Sequence, residues 1–294
     1  MDPKSKKSTL VISRPAPSSA EAATSSIADV AADADWVVWN ETGFSLGEGD
    51  WAIWAMDRHS GRVDKVAVNE PGSNGRALPG FITNLSVEGN RAVWAAPAPV
   101  GDAFELRIYV AKLAERTVTK LAANANYPSI LPSNKIGALL ATGQSSTGGV
   151  LSQPAEFGIG DGSVVRDDWA SPSRFARYAA TGGTDVLIDI TRDATADDPS
   201  SDAQVVARFG VGSPRTIPLP GEWGDVTAGL GFVAFSDDGH LWLLSAGEEA
   251  PTALVETTST LANIHFAAKG SWLYWHTDAV AGRAGHDSLL DLAC

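Results

Sequence analysis

A sequence motif of about a dozen residues recurs along the chain and indicates its fold class. Its clearest copy, ITNLSVEGNRAVW at residues 82–94, is an alternating run, a turn at Glu88, Gly89 and Asn90, and a second short run that ends on an aromatic residue. Alternation with a period of two predicts a half-buried β-strand, and a Gly-containing turn between two such runs predicts a hairpin. Its relatives are IADVAADADWVVW (27–39), SILPSNKIGAL (129–139), RYAATGGTDVLI (177–188), GDVTAGLGFVAF (224–235) and ANIHFAAKGSWLYW (262–275).

Most copies are followed by further strand-like segments, such as DWAIWAMD (50–57) and ELRIYVAK (105–112), so that a unit supplies about four short strands. Units recur about every 38 to 55 residues, which is the spacing expected of propeller blades. Helical periodicity is absent. A β-sandwich also has many short strands, but it would not repeat one sequence motif six times. The pattern predicts an all-β fold, a six-bladed β-propeller of four-stranded antiparallel blades.

The two ends of the chain are predicted to complete one blade together. The sixth unit stops after its third strand, whereas TLVIS at residues 9–13 is a strand without a local partner, followed by a Pro- and Ser-rich link. We therefore expect the N-terminal strand to pair with the last blade and close the ring, which leaves only short, protected sheet edges. The predicted organisation is a closing strand (9–13) and linker within residues 1–26, and a propeller over residues 27–294 that forms a single domain with that strand.

The repeat resembles that of TolB-like, WD-type propellers. The segments SVEGNRAVW (86–94), RIYVAKL (107–113) and VTKL (118–121) are similar to the turn, the "IYV-D" strand and the "LT" strand of that repeat. The turn reads VEGN, PSNK, AKGS or AGLG where the family has Ser-Pro-Asp-Gly, so the match is one of pattern. The resemblance implies the fold and strand order. It implies little about activity, because such propellers serve as binding platforms, periplasmic scaffolds and domains of hydrolases.

Composition narrows the classes of partner. A formal net charge of −13 and a pI near 4.7 argue against nucleic acid and anionic membranes, and favour cationic or neutral ligands. The single cysteine, Cys294, allows no intramolecular disulfide and no cysteine-based metal cluster. No run approaches the length of a membrane helix, and the N-terminus lacks a secretory signal. As written, the chain is expected in the cytoplasm, or outside the cell or on its surface if a leader or anchor has been removed.

One aligned position in the first strand of each unit is polar in all six copies, and the next position is apolar in all six. The resemblance implies that the first strand of each blade lines the central channel, and alternation then places the polar members on the wet side and the apolar members between blades. Two interpretations are open: a solvated channel mouth, or a ring of donors and acceptors that converge on a ligand. The polar members are Asp29, Asn84, Ser129, Tyr178, Asp225 and His265.

The loops after the second strands are predicted to gather on one face of the propeller, where binding sites usually lie. They span residues 40–49, 95–103, 142–154, 191–202 and 276–285. A divalent cation is conceivable at the acidic loop 191–202, but the segment lacks the ligand spacing of an EF-hand, so no metal and no cofactor is predicted. Aromatic rings near this face suit stacking on a sugar or a cationic group. The additional ligand-binding candidates are Trp39, Trp94, Trp223 and His276.

Three functions remain open from the sequence. The first is a binding propeller that holds a small molecule, a glycan or a protein on its loop-rich face. The alternative is an enzyme of hydrolase, lyase or cyclase type, in which His265 and Asp225 supply general acid and base groups beside Tyr178. The third is a structural module of a larger assembly. No Walker loop, GxSxG elbow or Rossmann fingerprint is present to decide between them.

Overall fold

The computed structural model describes residues 25–45, 48–72, 75, 78, 83–132, 134–144, 150–160, 163–167, 169–190, 203–219, 223–237, 239–256, 264–277 and 286–292. Within these ranges the regular elements are all β-strands, twenty-three in number. The described residues contain no helix of the length and apolar character needed to cross a membrane. The chain divides into two compact units, with the boundary between Pro128 and Ser129.

The first unit contains two sheets. The first sheet is built from β1 (Ser25–Ala32), β2 (Trp36–Ser45), β3 (Glu48–Asp57) and β4 (Val63–Val68). The second sheet is built from β5 (Thr83–Glu88), β6 (Arg91–Val100), β7 (Ala103–Lys112) and β8 (Thr117–Ala123).

The second unit holds the remaining sheets, except that β9 crosses the unit boundary. The third sheet is built from β9 (Ala125–Leu131), β10 (Lys135–Gln144), β11 (Val150–Gly158) and β12 (Val164–Arg166). The fourth is built from β13 (Phe175–Thr181), β14 (Thr184–Asp189), β15 (Gln204–Phe209) and β16 (Arg215–Pro218). The fifth is built from β17 (Val226–Gly229), β18 (Phe232–Asp237), β19 (His240–Ser245) and β20 (Thr252–Glu256). The sixth is built from β21 (Ile264–Lys269), β22 (Trp272–Thr277) and β23 (His286–Asp291).

Each sheet is a meander in which strands adjacent in sequence are adjacent in space. Five sheets have four strands, and the sixth has three within the described residues. The predicted fold class, a six-bladed β-propeller of antiparallel blades, is confirmed. The closing strand predicted at residues 9–13 lies outside the described residues, so the predicted closure stays a prediction.

The repeated turns have the conformation that their residues predict. Gly89, between β5 and β6, has φ of 55°, and Asn134, before β10, has φ of 65°. A tight hairpin turn needs such left-handed residues, which Gly and Asn adopt at the lowest steric cost. The recurrence of Gly or Asn at the turn is therefore what made the repeat visible in the sequence.

The cores lie between successive sheets and follow the period-two alternation of the strands. In β18, Phe232 and Ala234 pack toward the sixth sheet, whereas Val233 and Phe235 pack toward the fourth. All six residues of β18 are buried because both faces of this strand are covered. In the first unit, rings such as Trp36 and Trp94 fill the space between the first and second sheets.

Three of the predicted long loops are wrong, because strands occupy most of their residues. In the second sheet, β6 and β7 continue to Val100 and from Ala103, so that only a two-residue turn separates them where a loop over 95–103 was expected. The first sheet likewise has a long β2–β3 hairpin, and Val150–Gly158 is a strand. In β6 a run of Ala and Pro hid the end of the strand, because it carries few of the branched or aromatic side chains typical of strands. The segments 191–202 and 278–285 lie outside the described residues.

Candidate functional site

Two of the predicted channel residues link one sheet to the next through their side chains. The carboxylate Oδ2 of Asp29 accepts a hydrogen bond of 2.9 Å from the backbone N–H of Leu85, in the next sheet of the first unit. The hydroxyl Oγ of Ser129 accepts a bond of 3.2 Å from the backbone N–H of Ala180, in the next sheet of the second unit. These side chains satisfy part-buried or buried backbone donors, which would otherwise carry a desolvation cost.

Asn84 and Thr227 make the same kind of link. Asn84 has φ of 52° and donates its Nδ2–H to the carbonyl of Pro128 over 3.1 Å. Thr227 Oγ1 accepts a bond of 3.2 Å from the N–H of Ala268. Alignment had pointed to Asp225 in this sheet, two residues earlier. Thr227 was missed. Alternation places residues two apart on the same face of a strand, so the spacing of Thr227 from Asp225 is the signal that could have identified it.

Asp225 and Trp223 lie at the start of the fifth sheet around one arginine. The Nε of Arg177 lies 3.3 Å from the exposed carboxylate of Asp225, and its guanidinium lies 5.1 Å from the centre of the Trp223 ring. A guanidinium over an indole ring is a cation–π contact. The structure therefore brings these two predicted site residues together through Arg177, a residue that the sequence reasoning did not select.

Tyr178 is buried and anchors a network of ionisable groups in the second unit. Its hydroxyl donates to Oδ1 of Asp185 over 2.9 Å, and Arg208 donates to Oδ2 of the same carboxylate over 2.7 and 3.0 Å. Arg208 also forms a bidentate pair with Asp167, at 2.8 and 3.0 Å, and lies 4.9 Å from the ring centre of Trp169. The Arg208 guanidinium therefore links Asp167 and Trp169, which follow β12, to the fourth sheet.

Burial dominates the protonation of this network. It raises the pKa of Asp185 above the ordinary value, although the Arg208 charge and the hydrogen bonds from Arg208 and Tyr178 oppose it. Burial, together with the nearby carboxylate, also raises the pKa of Tyr178 well above its ordinary value. A pocket of about 220 Å³ adjoins the network. It is lined by Leu131, Pro132, Lys135, Glu156, Gly183, Asp185 and Arg208.

His265 and His276 are direct cross-strand partners in the sixth sheet. Nδ1 of His276 lies 2.9 Å from Oδ1 of Asp287, which also accepts a bond of 2.6 Å from the hydroxyl of Tyr274. These bonds lower the pKa of Asp287, while burial and Asp287 raise the pKa of Tyr274 to about 12. Among the described residues, no three His, Cys, Asp or Glu side chains are arranged to hold a metal ion.

Trp39 and Trp94 are fully buried in the first unit. Trp39 stacks on Trp54 with ring centres 6.4 Å apart, and Trp94 stacks on Tyr109 with ring centres 5.8 Å apart. Offset stacking at such distances stabilises a core beyond the area that it buries. The roles predicted from the sequence, catalysis by His265, Asp225 and Tyr178 and ligand binding by the other candidates, stay predictions.

Trp94 also lines a cleft of about 260 Å³ between the first and second sheets, which we call the aromatic cleft. Its lining combines indole and phenol rings, small aliphatic side chains and one pair of opposite charges. The lining residues are Trp51, Val66, Ala67, Val68, Glu70, Trp94, Tyr109, Val118 and Lys120.

Glu70 is the polar centre of the aromatic cleft. Oε1 accepts a hydrogen bond of 2.9 Å from the buried Tyr109 hydroxyl, and Oε2 accepts one of 2.9 Å from the Lys120 ammonium. Partial burial raises the pKa of Glu70, but these two bonds and the charges of Lys120 and Arg107 outweigh it, so that the pKa lies below the ordinary value. Glu70 is therefore ionised at neutral pH. It was missed because the segment that follows β4 carries no repeat signal.

Comparison with solved structures identifies the fold. The chain is similar to the β-propeller domain of the trilobed protease from Pyrococcus furiosus, with 10% identity and a TM-score of 0.56 over 92% of this chain and 82% of that one. It is similar to the acylaminoacyl peptidase of Pyrococcus horikoshii, with 11% identity and a TM-score of 0.53 over 94% of this chain and 53% of that one. TolB from Acinetobacter baumannii matches with 11% identity and a TM-score of 0.48 over 83% and 60%.

The β-propeller fold that the sequence resemblance implied is confirmed, and the neighbours include the β-propeller domain of a protease and an acylaminoacyl peptidase. Identities of 10 to 11% show the fold alone. This chain spans about half the length of the acylaminoacyl peptidase. No family model matches the sequence, and the search of curated proteins gives no match.

Proposed function

We propose that this protein is a binding propeller that recognises an ammonium group of its ligand at the aromatic cleft. The observation that carries the proposal is the Glu70 carboxylate, which is held in an apolar, ring-lined cleft by the Tyr109 hydroxyl and carries the exposed ammonium of Lys120. A pocket with apolar walls and one well-placed charged group is the usual form of a small recognition site.

Glu70 is the fixed partner of the ion pair, and Lys120 is the replaceable one. Glu70 is anchored by a buried phenol, whereas the side chain of Lys120 is 47% exposed on the outer strand β8. Exposed ion pairs contribute about 0 to 1 kcal/mol, since solvent screens them and the long side chain loses entropy. A cation from a ligand therefore displaces Lys120 into water at little cost and takes over the carboxylate.

The walls of the cleft suit the alkyl part of such a ligand. Val68 and Val118 expose aliphatic surface beside Trp51. Burial of apolar surface contributes about 25 cal/mol per Å², so that a short alkyl chain adds measurable affinity to the ionic contact. At about 260 Å³ the cleft is somewhat smaller than typical drug-binding pockets, and it fits a group of the size of one amino-acid side chain.

The charge of the whole chain supports a cationic ligand. A net charge of −13 raises the local concentration of cations around the protein and speeds their association at low ionic strength. Affinity should accordingly fall as salt is added, since salt screens the contacts of an exposed site.

Titration with N-acetyl-lysine methylamide, followed by intrinsic tryptophan fluorescence, tests the proposal. We expect saturable binding of this probe and none of its neutral analogue, N-acetyl-norleucine methylamide. Glu70→Gln should abolish binding, because it removes the charge and keeps the shape. Glu115→Gln is the matched control, since Glu115 is an exposed carboxylate bonded to Asn90 in the same unit. Equal binding of the two probes, or unchanged binding by Glu70→Gln, would overturn the proposal.

A further inference from the structure

A second cation lies beside the aromatic cleft, one step along β7 from Tyr109. Arg107 and Tyr109 are two residues apart on this strand, so that their side chains project from the same face. That face packs toward the first sheet, since Tyr109 belongs to the core that the first and second sheets share. The Arg107 charge is close enough to act on the cleft, because it helps to lower the pKa of Glu70 and opposes the rise in the pKa of Tyr109.

Arg107 uses only part of its hydrogen-bonding capacity. Its Nε donates to Oε1 of Glu105, two residues earlier on the same strand. Within the described part of the chain, its two terminal nitrogens have no acceptor. The side chain is 25% exposed, so that the end of the guanidinium is open to a ligand. Because a guanidinium binds a carboxylate through two parallel, charge-assisted hydrogen bonds, this open end favours a carboxylate.

The two charged groups are spaced as in a single lysine residue. Successive residues on one face of a strand are about 7 Å apart. The side chains of Tyr109 and Arg107 have similar lengths, so the Glu70 carboxylate, which is bonded to Tyr109, and the end of Arg107 are separated by about the same distance. In an extended lysine the side-chain ammonium and the α-carboxylate are also about 7 Å apart.

We infer that the aromatic cleft binds the last residue of a peptide chain that ends in lysine, with the side-chain ammonium on Glu70 and the α-carboxylate on Arg107. The inference rests on the proposed function, which places the ammonium in the same way, and it adds a second, anionic contact to the ligand. The alkyl chain of this lysine then runs parallel to β7, between the apolar walls of the cleft.

Charge selects the end of such a chain over other ligands. An internal lysine presents a neutral carbonyl to Arg107, and this accepts a weaker hydrogen bond than a carboxylate does. A carboxylic acid without an ammonium group is repelled by the net charge of −13. Free lysine carries an α-ammonium beside its carboxylate, and the Arg107 charge repels that group. A terminal lysine in peptide linkage has no such ammonium.

The affinities of N-acetyl-lysine and N-acetyl-lysine methylamide, measured by intrinsic tryptophan fluorescence, test the inference. The two probes differ only at the group that faces Arg107. N-acetyl-lysine should bind about 10-fold more tightly, the lower end of what a hydrogen bond to a charged group contributes. Free lysine should bind more weakly than N-acetyl-lysine. The titrations are done in about 0.15 M salt, where screening limits the influence of distant charges.

Variants of Arg107 assign the preference to this side chain. Arg107→Gln should reduce the affinity for N-acetyl-lysine to that for the methylamide. It should leave the methylamide bound at least as tightly as before, because a cation near its ammonium has been removed. Arg107→Lys keeps the charge without the paired donors and should give an intermediate affinity for N-acetyl-lysine. Arg116→Gln is the control, since Arg116 is an exposed arginine of the same unit that pairs with Asp64.

The outcomes separate this inference from the proposed function. Equal affinity of the native protein for the two acetylated probes would overturn the inference and leave the proposed function standing. So would tighter binding of free lysine than of N-acetyl-lysine, or an Arg107→Gln variant that melts like the native protein and still prefers N-acetyl-lysine. Absence of binding of both acetylated probes to the native protein would overturn the proposed function as well.

Discussion

Tyr178 and Gly137 lie on neighbouring sheets of the second unit, and a side chain at one position competes for space with the hydroxyl at the other. A Cβ added at Gly137 would lie 2.7 Å from the Tyr178 hydroxyl oxygen and 3.1 Å from Cδ1 of Leu131. The first distance is shorter than real Cβ contacts, and the hydroxyl cannot move without losing its bond of 2.9 Å to Asp185. The glycine therefore makes room for the hydrogen bond.

The two single substitutions should each destabilise the fold. Tyr178→Phe removes a hydrogen bond to a buried carboxylate, which costs about 2 kcal/mol. Gly137→Ala forces the hydroxyl away from Asp185 and overpacks the site, which also costs about 2 kcal/mol. For a chain of this size, 1 kcal/mol corresponds to a fall in Tm of about 2 to 4 °C, so that each variant should melt about 4 to 8 °C below the native protein.

The double variant distinguishes this explanation from two independent defects. Once the hydroxyl is removed, the closest neighbour of the new methyl group is the side chain of Leu131, which can shift. The combined cost should therefore be about 2 to 3 kcal/mol instead of about 4 kcal/mol, a coupling of about 1 to 2 kcal/mol. Calorimetric melting of the four proteins measures it. A double variant whose loss of Tm equals the sum of the single losses would show that the two sites do not compete for space.

Three further predictions follow from the same contacts. Ser129→Ala should lower the free energy of unfolding by about 1 kcal/mol, because the buried N–H of Ala180 loses its acceptor, and thermal melting should show a fall of about 2 to 4 °C. Arg208→Met should cost about 3 to 5 kcal/mol, since two carboxylates lose their charged partner, and urea denaturation should reveal it; a change below 1 kcal/mol would contradict the role given to Arg208. The lowered pKa of Glu70 means that binding of an ammonium probe should persist from neutral pH down to the ordinary Glu pKa of 4.5 and disappear only below it, which titrations between pH 3 and 8 would check; loss of binding well above pH 4.5 would argue against Glu70.

The fold could be predicted because the same turn and the same alternating strands recur in each repeat. Residues such as Gly89 and Asn134 mark the same turn in several sheets, and alternation on either side of the turn identifies paired strands. Long hairpins such as β6–β7 were missed because Ala and Pro carry weak strand signals. The sequence pattern therefore locates turns more reliably than it locates where strands end.

The candidate site could be predicted only in part, because a sequence repeat records what all blades share. The aligned polar position was found, and in Asp29 and Ser129 it is used to link one sheet to the next. The aromatic cleft depends on Glu70 and Lys120, which occur once and are 50 residues apart. Only the packing of the first two sheets brings them together, so no local pattern could have identified the pair.

In the proposed function Lys120 occupies the position of a ligand's ammonium group on Glu70, and calorimetric titration of N-acetyl-lysine methylamide into two variants tests this. Lys120→Met keeps most of the length of the side chain and removes the competing charge, so that the probe should bind at least as tightly as to the native protein, because no ion pair has to be broken first. Glu70→Gln should eliminate binding. Tight binding to Glu70→Gln, or loss of binding in Lys120→Met with its melting temperature unchanged, would contradict recognition of an ammonium group by Glu70.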